Sequence, residues 1–308
     1  MSVQAPGAVV LIRPHHFASN PETAGDNAFQ RVDPARAAAD IATAAYDDAT
    51  RLAEALEGAG ITVHLFEDDD ETRPDSVFPN NWFSTHAGGR IAVYPMYSPN
   101  RRLERRSDVL ELLKQRYRVQ EVVDYSGLEV DGLYLEGTGA MVLDGLNRVA
   151  YTVRSNRADP IVLERFCTAF GYEPMVFDAG LDGVPIYHTN VMMCIGTDFA
   201  LVGLDLMTNP ERRAEIAERL VEPGRELIEL SNEQISDFAG NAIELQGTQG
   251  RILALSERAD RSLTPEQRAV IEKSARILPV DVSTIELEGG SVRCMIAGIH
   301  LDKRHLPA

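Results

Sequence analysis

A repeated order of local patterns constrains this chain more than any single residue does. Two β-type runs around a turn are followed by a helical stretch and then by a third apolar run. The pattern predicts strands over Val77–Thr85 and Arg90–Tyr94 around Ala87-Gly88-Gly89, a helix over Ser107–Tyr117 and a strand over Val119–Val123. It returns with Gly139–Leu143 and Arg148–Val153 around Asp144-Gly145-Leu146-Asn147, then helix Pro160–Phe170 and strand Pro174–Asp178. Val191–Ile195 and Phe199–Gly203 form a third predicted hairpin, ahead of helices Pro210–Glu218 and Asn232–Phe238. Ala242–Gln246 and Arg251–Ser256 flank Gly247-Thr248-Gln249-Gly250, with helix Thr264–Ser274 and strand Ile277–Val280 behind them. Upstream lie a predicted strand Ala8–Ile12, a helix Pro34–Ala59 and a strand Ile61–Phe66. Glycine-centred segments (Glu136-Gly137-Thr138-Gly139, Ala239-Gly240-Asn241-Ala242, Glu288-Gly289-Gly290) begin several units. Repeated ββαβ modules suggest radial repetition about a centre rather than one open doubly wound sheet. No Pro/Ser-rich linker divides residues 1–308, so an α/β chain of one domain is expected.

Charge narrows the partners. A formal net charge of −17 argues against nucleic acid and anionic membrane, which need basic surfaces. No apolar run is long enough to span a bilayer. Met1–Leu11 has no basic segment before its apolar stretch and does not read as a secretory leader. The acidic run Glu67-Asp68-Asp69-Asp70-Glu71 reads as a solvated loop, since contiguous carboxylates converge poorly on one ion. The cysteines are Cys167, Cys194 and Cys294: odd in number, widely spaced, with no Cys-x-x-Cys. That fits a reducing cytoplasm better than a disulfide framework or a zinc ribbon, and Cys167 and Cys194 read as core. The Gly-x-Gly at Gly137 and Gly139 does not extend to a dinucleotide fingerprint, and no P-loop occurs, so no nucleotide cofactor is expected; no His-x₃-His pair supports a metal.

Chemistry concentrates near the C-terminus. In Leu287-Glu288-Gly289-Gly290-Ser291-Val292-Arg293-Cys294-Met295, a cysteine ends a glycine-rich turn after a run (Val282, Thr284, Ile285, Leu287) that reads as a strand. Two readings fit: a nucleophile held at a strand end, or a buried apolar cysteine beside a β-bulge. A thiol nucleophile needs a base within reach. Among the seven histidines, His188 has the most suggestive setting, before an apolar strand in Ile186-Tyr187-His188-Thr189-Asn190-Val191-Met192; a structural strand-end histidine is the other reading.

At this point the chain resembles the guanidino-group-modifying superfamily of arginine deiminases, dimethylarginine dimethylaminohydrolases and amidinotransferases. Asp75-Ser76-Val77-Phe78-Pro79-Asn80-Asn81 resembles the dimethylarginine hydrolase motif Asp-Ser-Val-Phe-Val-Glu-Asp. Ser98-Pro99-Asn100-Arg101-Arg102-Leu103-Glu104, Leu135-Glu136-Gly137-Thr138-Gly139, Ser155-Asn156-Arg157-Ala158-Asp159, His188-Thr189-Asn190 and Glu288–Cys294 match further segments in chain order. The stretch Arg13-Pro14-His15-His16-Phe17 with Asn20, Thr23 and Asn27–Gln30 is similar to bacterial citrulline-utilisation hydrolases, the citrulline ureidases of that superfamily.

The resemblance implies a five-bladed α/β-propeller (pentein) of pseudo-repeated ββαβ modules with a central site and no metal. By position, it implies Cys294 as nucleophile, His188 as general acid/base and Glu136 as a carboxylate facing the substrate nitrogens. Arg157, with Arg101 as a second candidate, would hold a substrate α-carboxylate, although the cluster Arg101, Arg102, Arg105 and Arg106 also reads as solvated residues at a helix start. Asp75 either orients the site or caps a turn. Asn20, Asn27 and Gln30 either line the site or serve as turns and caps. Relatives acting on a guanidinium carry aspartates where this chain has Asn81 and Asn190. An amide offers a carbonyl and an NH₂ to a neutral group, so the departure implies a ureido substrate, with L-citrulline going to ornithine, CO₂ and ammonia. A hydrolase of arginine or methylated arginine, and a non-catalytic propeller binder, are the alternatives. The expected partner is a small amino acid with a ureido or guanidino group; a homodimer is permitted but not specified.

Overall fold

Strand β1 (Ala8–Pro14), helix α1 (Ala38–Gly58) and strand β2 (Thr62–Asp68) open a computed structural model that describes residues 3–31, 33, 35–181 and 183–304. Met1 and Pro34, used above for a leader and a helix start, lie outside the described residues. Helix α1 buries Ala45, Ala49, Leu52 and Leu56, one face at helical spacing. It stops before Gly60, whose φ of 82° suits glycine. The chain then returns as β2, parallel to β1.

The next unit is β3 (Phe83–His86), β4 (Arg90–Val93), α2 (Ser107–Arg116) and β5 (Glu121–Asp124). It is followed by α3 (Gly137–Ala140), β6 (Met141–Asp144), β7 (Val149–Val153), α4 (Pro160–Phe170) and β8 (Glu173–Phe177). A small hairpin, β9 (Gly180–Leu181) and β10 (Val184–Pro185), precedes β11 (Met193–Ile195), β12 (Phe199–Val202), α5 (Pro210–Val221) and β13 (Glu226–Glu229). Then come α6 (Asn232–Ser236), β14 (Ile243–Gly247), β15 (Gly250–Ser256), α7 (Glu257–Ser262), α8 (Pro265–Glu272) and β16 (Arg276–Val280). Finally β17 (Ala297–Gly298) pairs antiparallel with β1.

Among the described residues there are five three-stranded sheets, each with one antiparallel and one parallel pair. Four are continuous in sequence; the fifth joins the C-terminal β17 to β1 and β2. Helices cover the sheets and bury aromatic and aliphatic side chains, as α4 does with Val162, Leu163, Phe166 and Phe170. Each such side chain contributes about 1.5–3 kcal/mol by leaving water. The α4 boundaries match the expectation because Asp159 caps the N-terminus, Pro160 fits the first turn and Gly171 takes φ 70° at the end.

The expected strands at Val77, Gly139 and Val191 begin too early. Pro79–Asn81 and Thr189–Val191 are 3₁₀ turns and Gly137–Ala140 is one helical turn, so the strands start after them. Pro79 favours the first of these turns by fixing φ and lacking an N–H. The run before Cys294 is not a strand either: Ile285–Leu287 is a 3₁₀ turn. The Asp48 carboxylate on α1 accepts the N–H groups of Thr284 (2.8 Å) and Ile285 (3.1 Å), satisfying donors that a strand would have paired. Helix α7 was not anticipated; Ser256 caps it by accepting from the Ala259 N–H. The acidic run is not all solvated loop, because Glu67 and Asp68 belong to β2 and Asp68 is buried against Arg73. No described helix is long and apolar enough to cross a membrane.

Candidate active site

Irregular turns ahead of the first strand of each module supply the polar groups. Asn81 precedes β3, Glu136 precedes α3 and β6, His188 and Asn190 precede β11, Asn241 precedes β14, and Cys294 precedes β17. All are buried. Cys294, His188, Asn81, Asp75, Arg101 and Arg157 line one narrow cleft of about 20 Å³. Two glycines make the approach possible. A Cβ on Gly139 would strike the Asn81 amide and stand 2.8 Å from His188 Nδ1, and Gly137 (φ 48°) lies against the Asn80 carbonyl.

Cys294 Sγ accepts amide N–H bonds from Asn190 Nδ2 (3.2 Å) and Asn241 Nδ2 (3.1 Å). Asn241 also holds the turn behind the sulfur. Its Oδ1 accepts the backbone N–H groups of Ser291 (3.2 Å) and Cys294 (3.3 Å), and its Nδ2 donates to the Asn190 carbonyl (3.0 Å). Donors of this kind suit a sulfur that carries negative charge. The Oδ1 of Asn190 is buried and has no hydrogen-bond partner in the protein.

His188 Nε2 donates to Glu136 Oε2 at 2.8 Å, which leaves Nδ1 as the basic nitrogen of the neutral ring. Burial pushes the His188 pKa below 6.5, against the upward pull of Glu136. Burial alone would raise Glu136, but Arg157, the His188 bond and Arg101 outweigh it and hold its pKa down at about 2. Glu136 Oε1 accepts the Tyr97 N–H at 3.0 Å. The imidazole is thus neutral near pH 7 and oriented by an ionised carboxylate.

The arginines are paired within the protein. Arg101 Nε and Nη2 donate to the two oxygens of Glu104 (2.8 and 2.9 Å), with Asp75 at 3.6 Å and Glu136 at 3.5 Å. Arg157 Nε and Nη2 reach Asp26, Nη2 reaches the Thr23 carbonyl (3.3 Å), and Nη1 stands 3.8 Å from Glu136. Burial raises the pKa of Asp75, opposed first by Arg101. Asp75 Oδ2 accepts from Asn20 (2.7 Å), while its Oδ1 has no partner.

A sequence model of the family described as N,N dimethylarginine dimethylhydrolase, eukaryotic, matches residues 13–301. The chain belongs to this dimethylarginine dimethylhydrolase family, and with it to the guanidino-group-modifying superfamily. Among solved structures, the N-terminal domain of ArgZ, an arginine dihydrolase from the ornithine–ammonia cycle in cyanobacteria, is similar with a TM-score of 0.74 and 14% identity. That match covers 96% of this chain and 98% of the other. An AgrE mutant solved with L-arginine gives 0.73 at 14% identity, covering 97% of this chain and 41% of that longer one. A dimethylarginine dimethylaminohydrolase adduct with S-methyl-L-thiocitrulline gives 0.64 at 16% identity, covering 96% and 100%. At these identities the likeness concerns the fold. No curated protein sequence matches the chain.

Some positions in this dimethylarginine dimethylhydrolase family member differ from the expectation. Glu136, expected against substrate nitrogens, sits behind His188 and off the cleft wall, because the imidazole occupies its free oxygen. Arg101 is not solvated; its fork is filled by Glu104. Asn20 does not line the cleft but bonds Asp75, and Gln30 bonds Ser19 and the Asn20 carbonyl instead. Asn27 does line it. Asn190 touches the sulfur without lining the cleft. Asn241 carried no role in the sequence reading. Its signal was present in Gly240-Asn241, one of the glycine-centred module starts.

Proposed function

We propose that this chain is a cysteine-dependent hydrolase of a non-peptide C–N bond whose substrate is L-citrulline. The observation that carries the substrate is the neutrality of the nucleophile's surroundings: the side chains bonded to Cys294 Sγ are the amides of Asn190 and Asn241, and Asn81 stands on the same wall. A buried guanidinium would require a compensating carboxylate there, at a cost of several kcal/mol if unpaired. A ureido group requires only hydrogen bonds.

In this reading the Cys294 sulfur attacks the ureido carbon while neutral His188 takes the thiol proton. His188 then returns that proton to the departing nitrogen as its C–N bond breaks, leaving a thiocarbamate on sulfur. His188 next takes a proton from water, whose oxygen replaces sulfur on the carbon, and returns it to the departing sulfur; the carbamic acid released decomposes. One water enters, and ornithine, CO₂ and ammonia leave. Glu136 is a positioning residue that holds the imidazole. Arg157 and Arg101 supply positive potential for the α-carboxylate, and Asp75 Oδ1 faces the α-ammonium group. A ureido carbon is a poor electrophile, so alignment and amide donors must supply much of the rate.

We also infer that the five modules close as one five-bladed α/β-propeller around this site. Supporting this, β3 contacts β17 and α3, β6 contacts β11, β11 contacts β14, and the Gln246 N–H of β14 donates to the Pro6 carbonyl just before β1.

The second reading is an arginine hydrolase, favoured by the unpartnered Asp75 Oδ1 on the cleft wall, which can meet a cation. Incubation of the protein with citrulline and, separately, arginine separates the two. Ornithine and ammonia from citrulline are expected. Product from arginine with none from citrulline would sink the neutral-substrate argument, and silence on both would favour a binding role.

A further inference from the structure

A second and larger cavity, about 90 Å³, shares no lining residue with the cleft. Its wall takes residues from the first strand of every module: β3, β6, β11, β14 and β17. Arg293 reaches it, one position before Cys294, so consecutive residues of the nucleophile turn face separate spaces.

Arg293 differs from Arg101 and Arg157 in having no carboxylate partner among the described residues. Its Nη1 donates to the Ile296 carbonyl at 2.9 Å. Its other guanidinium nitrogens are not sealed in protein and have no bonded partner there, which leaves them to the cavity. Arg148 adds a second positive charge to the wall, over the Tyr172 ring at 3.9 Å. His300 is held neutral, its pKa pushed down to about 4 by burial and by Arg293. One acidic group, Glu244, is also on the wall: its Oε2 accepts from the Thr197 N–H (2.8 Å) and hydroxyl (2.6 Å), and its Oε1 has no hydrogen-bond partner, with Arg251 3.5 Å away as its counter-charge. Phe83 and Val142 give apolar wall.

We propose that this cavity binds a small carboxylate anion through the fork of Arg293. A guanidinium withdrawn from bulk water without a counter-charge is costly, and an anion from solution supplies one. The planar fork matches two carboxylate oxygens. Apolar wall accepts a short hydrocarbon tail and disfavours a strongly hydrated multivalent anion. The volume admits several waters or one such molecule. The proposal does not depend on the hydrolase reading.

Propionate is the probe, measured by isothermal titration at fixed ionic strength against sodium chloride, with thermal unfolding to verify each fold. Saturable binding is expected for the wild type and for Arg157→Gln, which weakens the cleft as an alternative carboxylate site. Arg293→Gln should weaken it at least about tenfold, as loss of charge-assisted hydrogen bonds does. Arg293→Lys keeps the charge, loses the fork and is expected to weaken binding too; it serves if the neutral variant does not fold. Absence of saturable binding in the wild type, or equal binding by the Arg293 variants, overturns the proposal. Loss of binding in Arg157→Gln would assign the propionate to the cleft, and chloride competing as well as propionate would overturn the carboxylate class.

Discussion

The side chains bonded to the Cys294 sulfur are amides; those around Arg101 and Arg157, which line the same cleft, are ions. The amide wall places two N–H donors on the sulfur and leaves the Asn190 Oδ1 unpaired. The ionic wall is a chain of opposite charges, from Glu104 through Arg101 to Glu136 and on through Arg157 to Asp26. A neutral wall can change its hydrogen bonds as charge develops on sulfur without losing a counter-ion. An ionic wall is rigid, because removing one partner of a buried pair leaves the other uncompensated at about 3–5 kcal/mol. Under the proposed function, the reacting head of the substrate would meet the first wall and its zwitterionic tail the second.

The strongest way to break this division is to remove its proposed nucleophile. Cys294→Ala should lower turnover at least about 10⁴-fold with unchanged circular dichroism and melting; normal turnover would end the covalent reading. Glu136→Gln should lower kcat by about 10²–10⁴-fold, as loss of a histidine-orienting carboxylate does. It carries a second signature in pH. In the proposed mechanism neutral His188 accepts the thiol proton, so the rate should fall as pH drops through its pKa, which lies below 6.5. Glu136 pulls that pKa up. The variant's acid limb should therefore move to lower pH, and a limb moving upward would contradict the pairing.

Asn241→Ala tests the amide wall from behind. It strips one donor from the sulfur, leaves the Ser291 N–H without its acceptor and leaves the Cys294 N–H with the Ser291 carbonyl (2.9 Å) alone. A loss of about 1–3 kcal/mol of stability and of about 10²-fold in kcat is expected, with KM little changed. Arg157→Lys tests the ionic wall and should show the reverse split: KM up by about 10-fold or more with kcat nearly kept. If both variants changed kcat and KM alike, the cleft would not be divided into head and tail.

The regular parts of this division were legible in the sequence because they rest on local rules. Helix α4 was bounded by Asp159, Pro160 and Gly171, and the hairpins by their glycine turns. The residue types at Cys294, His188, Glu136, Asn81 and Asn190 were legible through resemblance. What they touch was not. Whether Arg101 meets water, a substrate or Glu104 depends on a 3₁₀ turn, Asn100–Glu104, that puts acceptor and donor on one face. Glu136 could not be paired with His188 from a separation of 52 residues. The irregular turns before the strands were overrun by β-type patterning, since Val77 and Val191 are as suitable for a strand as for a buried turn. Asn241 sits in such a turn, which hid it.

The smallest expected effect probes where the two walls meet. Glu288 begins the nucleophile turn, yet its Oε2 accepts the N–H of Asn20, the residue that bonds Asp75 on the ionic side. Burial, with the like charge of Asp75 adding to it, raises its pKa from 4.5 to about 7. The folded protein therefore binds this proton more tightly than the unfolded chain. The stabilisation is complete below about pH 4.5 and is lost as pH rises through about 7. In wild type this group alone makes pH 8 less favourable than pH 5 by about 1–3 kcal/mol. Glu288→Gln keeps a neutral acceptor for the Asn20 N–H and cannot titrate, so the difference in unfolding free energy between these two pH values should shrink by that amount. An unchanged difference would mean that Glu288 does not exchange a proton between these two pH values.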